Sequence, residues 1–123
     1  MHPYIETTEL DELKAFISQR TTEEQVIENV GNFAVVVCQG AIASSSSFKP
    51  EQVDEIKITH QLFSGSFIDR NHSGQRLPGY RYMVKVTMPD DELFNGYCYL
   101  LQGGGGKIIN FLLEDETQDW WQD

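Results

Sequence analysis

Between Tyr80 and Leu113 the chain repeats one pattern three times, and that repetition restricts the fold more than any other feature. Tyr82, Val84, Val86 and Met88 alternate with Arg81, Met83, Lys85 and Thr87. A period of two sends alternate side chains to opposite faces of a strand, so this run predicts a half-buried strand. After a turn expected over Pro89 to Asn95, Tyr97, Tyr99 and Leu101 alternate with Cys98 and Leu100. A third run follows Gly103 to Gly106 and reads Lys107, Ile108, Ile109, Asn110, Phe111, Leu112, Leu113. The last two runs are expected to pair as a hairpin, with the glycines accepting the positive φ of the reversal. A glycine-rich phosphate cradle is the competing reading, but it requires a helix after the glycines. The residues after Gly106 read as a strand followed by the acidic EDETQDWWQD.

Upstream, Thr7 and Thr8 are expected to open a helix, with Thr8 and Asp11 forming an approximate capping box. Leu10, Leu13, Phe16 and Ile17 fall on one helical face. Thr21 with Glu24, or Thr22 with Gln25, would cap a short second helix that buries Val26, Ile27 and Val30 and ends at Gly31. Phe33 to Gln39, FAVVVCQ, reads as a strand covered on both faces or placed centrally; a buried helix is the other reading its length permits. The serines around Ala41 to Ser47 suggest a loop, and no G-x-S-x-G elbow accompanies them. Pro50 is suited to start a brief turn or helix. Glu55 to Phe67 predicts a long strand, with Gly65 marking a bulge or bend that lets Phe63 and Phe67 join the buried set. Asp69 to Gly79, DRNHSGQRLPG, has the composition of an exposed connection.

Two N-terminal helices followed by about five strands with short connections predict a single α+β domain. The helices should pack on one face of a curved, mainly antiparallel sheet, with an acidic, Trp-containing tail at about 114–123. This order of elements is similar to that of the cystatin-like and nuclear-transport-factor-like cone folds. The resemblance is one of element order across the chain; no motif carries it, and it transfers no site residues.

The formal charge of −10 is unevenly placed. Both ends are acidic and the middle is mildly basic, with Arg70, His72 and Arg76 its one local cluster of positive charge. A molecule of this charge repels nucleic-acid phosphates and anionic membranes and is steered towards basic partners. The polar, acidic start MHPYIETTEL is unlike a secretory signal, and no run approaches ~18 uninterrupted apolar residues, so a cytoplasmic protein is expected. Cys38 and Cys98 both fall in apolar runs read as strands and are expected to be small, buried and reduced, although a bridge between neighbouring strands is conceivable. His2, His60 and His72 have no metal-ligand spacing, and no cofactor motif is present.

Three functional readings follow. The first is a non-catalytic acidic binding protein that neutralises a basic protein partner, as immunity proteins, antitoxins and inhibitors do. Its expected contact residues are Asp90, Asp91, Glu92, Glu114, Asp115, Glu116, Trp120 and Trp121. The adjacent tryptophans either fold back on the sheet or wait for a partner. The second is a ligand-binding domain or enzyme with a helix–sheet pocket around His60, with Asp69, Tyr82 and Tyr99 as companions. The third is an oligomerising module, such as a homodimer, that pairs through the aromatic faces of Tyr80 to Tyr99.

Overall fold

The computed structural model describes residues 3–22, 24–69, 75–101, 107–112 and 121–122. It has the expected α+β architecture. In chain order the elements are β1 (Tyr4–Glu6), α1 (Leu10–Ser18), α2 (Glu24–Ser44), a 3-10 helix (Pro50–Glu55), β2 (Lys57–Asp69), β3 (Gln75–Thr87), β4 (Leu93–Leu101), β5 (Lys107–Leu112) and β6 (Trp121–Gln122). The sheet runs β1-β2-β3-β4-β5, and every pairing is antiparallel. β6 also pairs with β2, so β1 and β6 occupy two stretches of the same edge: Ile5 lies opposite His60, and Trp121 opposite Phe67.

Register and pleat together set the core. Ile58, Val86 and Phe94 lie abreast on three adjacent strands, as do His60, Val84 and Gly96, and then Leu62, Tyr82 and Cys98. These positions face the helices. They pack with Leu13, Phe16 and Ile17 of α1 and with Val26, Val30, Phe33, Ala34, Val37 and Ala41 of α2. The strand expected at Tyr80 to Met88 thus buries the predicted set, with Tyr82, Val84, Val86 and Met88 all inaccessible.

The largest correction concerns Phe33 to Gln39, which is helical. α2 is 21 residues long and runs through both Gly31 and Gly40, so Gly31 is no terminator and Cys38 lies on a helix. The reason is the spacing of the buried set: Val26, Val30, Phe33, Ala34, Val37 and Ala41 recur every three or four residues, the helical period. Val35 and Val36 point outwards, at 39% and 63% exposure, which a doubly covered strand would not allow. Its length and composition would also suit a bilayer span, but here one side of α2 packs on the sheet. Cys38 and Cys98 are therefore not sheet neighbours, and both thiols are free.

Smaller corrections follow from pairing. β2 and β3 pair without interruption from Lys57 and Thr87 to Asp69 and Gln75, so Gly65 is not a bulge and Gln75 to Gly79 are strand rather than connection. Phe63 lies half-buried on the face away from the helices, opposite Arg81. Helix α1 begins at Leu10 after Glu9, with no side-chain cap from Thr8. Instead Thr7 Oγ1 accepts the Glu9 N–H at 3.0 Å and donates to Glu12 Oε2 at 2.8 Å. β4 starts at Leu93, inside the stretch expected to be turn. The expected hairpin of the last two runs is present as β4 and β5, and its glycine joint lies outside the described residues.

Candidate functional site

Three places on the molecule hold the residues singled out by sequence. The first is around His60, whose ring is buried beneath Thr7. His60 Nε2 lies 3.0 Å from the Thr7 carbonyl oxygen, and Nδ1 lies 2.5 Å from the Tyr82 hydroxyl. A carbonyl can only accept, so Nε2 carries the proton, and Nδ1 accepts from the Tyr82 O–H. Burial lowers the His60 pKa, partly offset by the bond to Thr7. Burial also raises that of Tyr82, with Cys98 reinforcing the shift. Both ring nitrogens are committed to bonds that tie Thr7, just after β1, and Tyr82 of β3 to β2, so in this arrangement neither is free to take a proton from a substrate.

The other expected companions are elsewhere. Tyr99 faces away from the helices, in the second cluster with Phe67 and Trp121. Asp69 ends β2, nine residues beyond His60 and so ~30 Å along an extended strand. The expected four-residue constellation is therefore reduced to the His60–Tyr82 pair. Beside it lies a solvent-open pocket of about 150 Å³ between α1, α2 and β2. Leu13, Ala34, Cys38 and Ile58 form its walls.

The second place is the end of the sheet at the β3–β4 turn. Met88 N–H donates to Glu92 O and Asp91 N–H to Met88 O, both at 2.9 Å, which closes a tight hairpin with Asp91 at φ 65°. Asp90, Asp91 and Glu92 are exposed on it. Asp90 Oδ2 accepts from the Ser47 hydroxyl, and Oδ1 accepts the Glu92 N–H at 3.2 Å. The first of these bonds chiefly holds the Asp90 carboxyl below its ordinary pKa. It also ties the turn to the segment after α2.

That tie brings together acids that sequence reasoning left out. The 3-10 helix carries exposed Glu51, Asp54 and Glu55 and leads into Lys57, which lies across from Thr87 and, through it, Leu93. The C-terminal end of α2, which bears the negative end of a 21-residue helix dipole, reaches the same region and has no basic side chain in its last turn. Six carboxylates therefore share one end of the sheet with Lys49 and Lys57. Among the described residues none of the six is in an ion pair; the pair that does form, Lys14–Glu28 at 3.1 Å, joins α1 to α2. Val53 and Leu93 stand in this region, each 52% exposed. Only strand register and the Ser47 bond place the two acidic segments at one end of the sheet, so spacing in sequence could not reveal this.

The third place is the edge where β6 docks. Trp121 is buried against Tyr99, with ring centroids 5.4 Å apart and planes at 68°. Its indole lies over the paired Gly65 and Gly79: a Cβ at Gly65 would come within 2.6 Å of the indole, and one at Gly79 within 3.3 Å. The glycines give the ring its seat. Trp121 therefore folds back on the sheet instead of facing a partner. Trp120, Glu114, Asp115 and Glu116 lie outside the described residues. On the same face, Arg81 stacks its guanidinium over the rings of Phe63 and Tyr97, at 4.4 and 5.4 Å from their centroids.

No family model, curated protein or solved structure matches this chain.

Proposed function

We propose that the protein is a non-catalytic acidic binding protein that neutralises a basic protein partner, in the manner of an immunity protein, antitoxin or inhibitor, and works in the cytoplasm. The observation that carries this reading is the acidic end of the sheet. There exposed Glu51, Asp54, Glu55, Asp90, Asp91 and Glu92 stand at the same end of the sheet as the C-terminal end of α2. Exposed Val53 and Leu93 in the same region offer the apolar contact that charge alone lacks. Electrostatic complementarity of this kind raises association from ~10⁵–10⁶ towards ~10⁸ M⁻¹s⁻¹ at low salt and weakens steeply as salt is added. The enzymatic reading loses support because both nitrogens of His60 are engaged within the fold.

Affinity capture from host lysate on the tagged protein, eluted with a salt gradient, tests the reading. A basic protein is expected to bind stoichiometrically and leave with salt. It should not bind a variant carrying Glu51→Lys, Asp54→Lys and Asp90→Lys. A partner held equally well at low and high salt would refute the charge-led mechanism.

A further inference from the structure

From the cavity beside His60 we infer a binding site for a small apolar molecule of about benzene size, whose head group, where present, is neutral or cationic. The site is distinct from the acidic end and independent of the function proposed for it. It exists because α2 turns two small side chains, Ala34 and Cys38, towards Ile58 and His60. Phe33 and Val37 fill the neighbouring stretch so closely that Gly96 has no room for a Cβ. The resulting space of about 150 Å³ is open to solvent, so a ligand can enter without unfolding the chain.

Its chemistry follows from what the surrounding polar groups already do. His60 donates to the Thr7 carbonyl and accepts from Tyr82, and Thr7 Oγ1 is held by the Glu9 N–H and Glu12. The donors of His60, Tyr82 and Thr7 are already engaged within the fold, so they offer a bound molecule no N–H or O–H. Leu13, Ala34 and Ile58 offer none. An enclosed apolar cavity of about 150 Å³ accepts benzene or xenon, which sets the size of molecule that this solvent-open space can hold. Polar side chains line the rim, where Thr8, Glu9 and Gln39 are exposed. The Glu9 carboxylate disfavours an anionic head and favours an amine. An apolar interior with a few polar groups at its mouth is the usual composition of a small-molecule site.

The test is a titration of the whole chain with toluene, benzylamine and benzoate, followed through methyl signals in ¹H–¹³C spectra. Saturable millimolar binding is expected for toluene and benzylamine, with the shifts centred on Leu13, Ala34 and Ile58. Benzylamine should bind about two- to fivefold more tightly than benzoate at low salt, the range of one exposed charge pair, and Glu9→Gln should remove that preference. Filling the space with Ala34→Leu, or with Cys38→Leu at the less buried wall, should weaken binding at least tenfold in whichever variant retains native spectra. If neither folds, the wild-type shift map decides. Absence of saturable shifts for every probe, shifts centred elsewhere, or unchanged binding in a folded filled variant would overturn the site. Benzoate binding as tightly as benzylamine would overturn the head-group assignment.

Discussion

Replacing Gly96 by alanine should destabilise the protein, and the magnitude follows from how closely α2 approaches the sheet. A Cβ at position 96 would sit 2.6 Å from Val37 Cγ2 and 3.1 Å from the nearest Phe33 ring atom. Carbon atoms prefer about 3.5–4.0 Å, so roughly 1 Å must open between helix and sheet. Val37 cannot swing aside, because a β-branched residue in a helix has one strongly preferred rotamer. Overpacking of this kind costs about 1–3 kcal/mol, and the lower chain entropy of unfolded alanine returns about 0.4–1 kcal/mol. With Val37 unable to yield, the cost falls in the upper part of that range, about 2–3 kcal/mol, so the net loss is about 1–2.5 kcal/mol, a fall in Tm on the order of 5 °C for a chain of this size. Val37→Ala removes the obstructing methyls, so Gly96→Ala should cost much less in that background. Gly40→Ala is the internal control. Gly40 is exposed inside α2 with nothing within 4 Å of a Cβ, and alanine there should stabilise by about 1 kcal/mol. Urea denaturation of the four variants measures all of these terms. A neutral Gly96→Ala, or a destabilising Gly40→Ala, would refute the packing of α2 and return residues 33–40 to a strand and turn.

Two further outcomes are expected. Because burial depresses the His60 pKa in the folded state, unfolding takes up protons below the ordinary value of about 6.5. His60 thus contributes stability that is present above that pH and lost progressively as pH falls below it through the lower folded-state value, and calorimetry from pH 7.5 to 5 should show a flatter profile for His60→Gln. Asp91 holds φ 65° in the β3–β4 turn, a conformation that costs a non-glycine residue energy. Asp91→Gly should raise stability by roughly 0.5 kcal/mol, the left-handed penalty less glycine's extra backbone entropy, measurable by the same denaturation.

The sheet was largely legible because alternation in β2, β3 and β4 is strong and one face of each is apolar. Pairing β4 with β5 needed only the glycine-rich joint between them. Strand ends were harder: Gln75 to Gly79 contain glycine and proline, which read as loop, yet they pair along β2 where an indole needs a glycine seat. The misreading of α2 has the same origin. Gly31 and Gly40 looked like punctuation, whereas the burial spacing from Val26 to Ala41 runs through both. In the candidate site, Asp90, Asp91 and Glu92 were visible as a local run, but their association with Glu51, Asp54 and Glu55 depends on register. His60 was correctly placed on the helix-facing side of β2. That its bonds hold Thr7 and Tyr82, instead of leaving a base free, is a property of folded geometry alone.

The central claim is that the acidic end of the sheet recognises a basic protein through charge. Its most direct test compares capture by the wild-type chain, by Glu51→Lys/Asp54→Lys/Asp90→Lys, and by a control with Asp11→Lys and Glu24→Lys on the helices. The account predicts one basic protein retained at low salt by the wild type and the control, released by a salt gradient, and absent from the variant of the acidic end. Equal retention by all three proteins, or retention insensitive to salt, would contradict it.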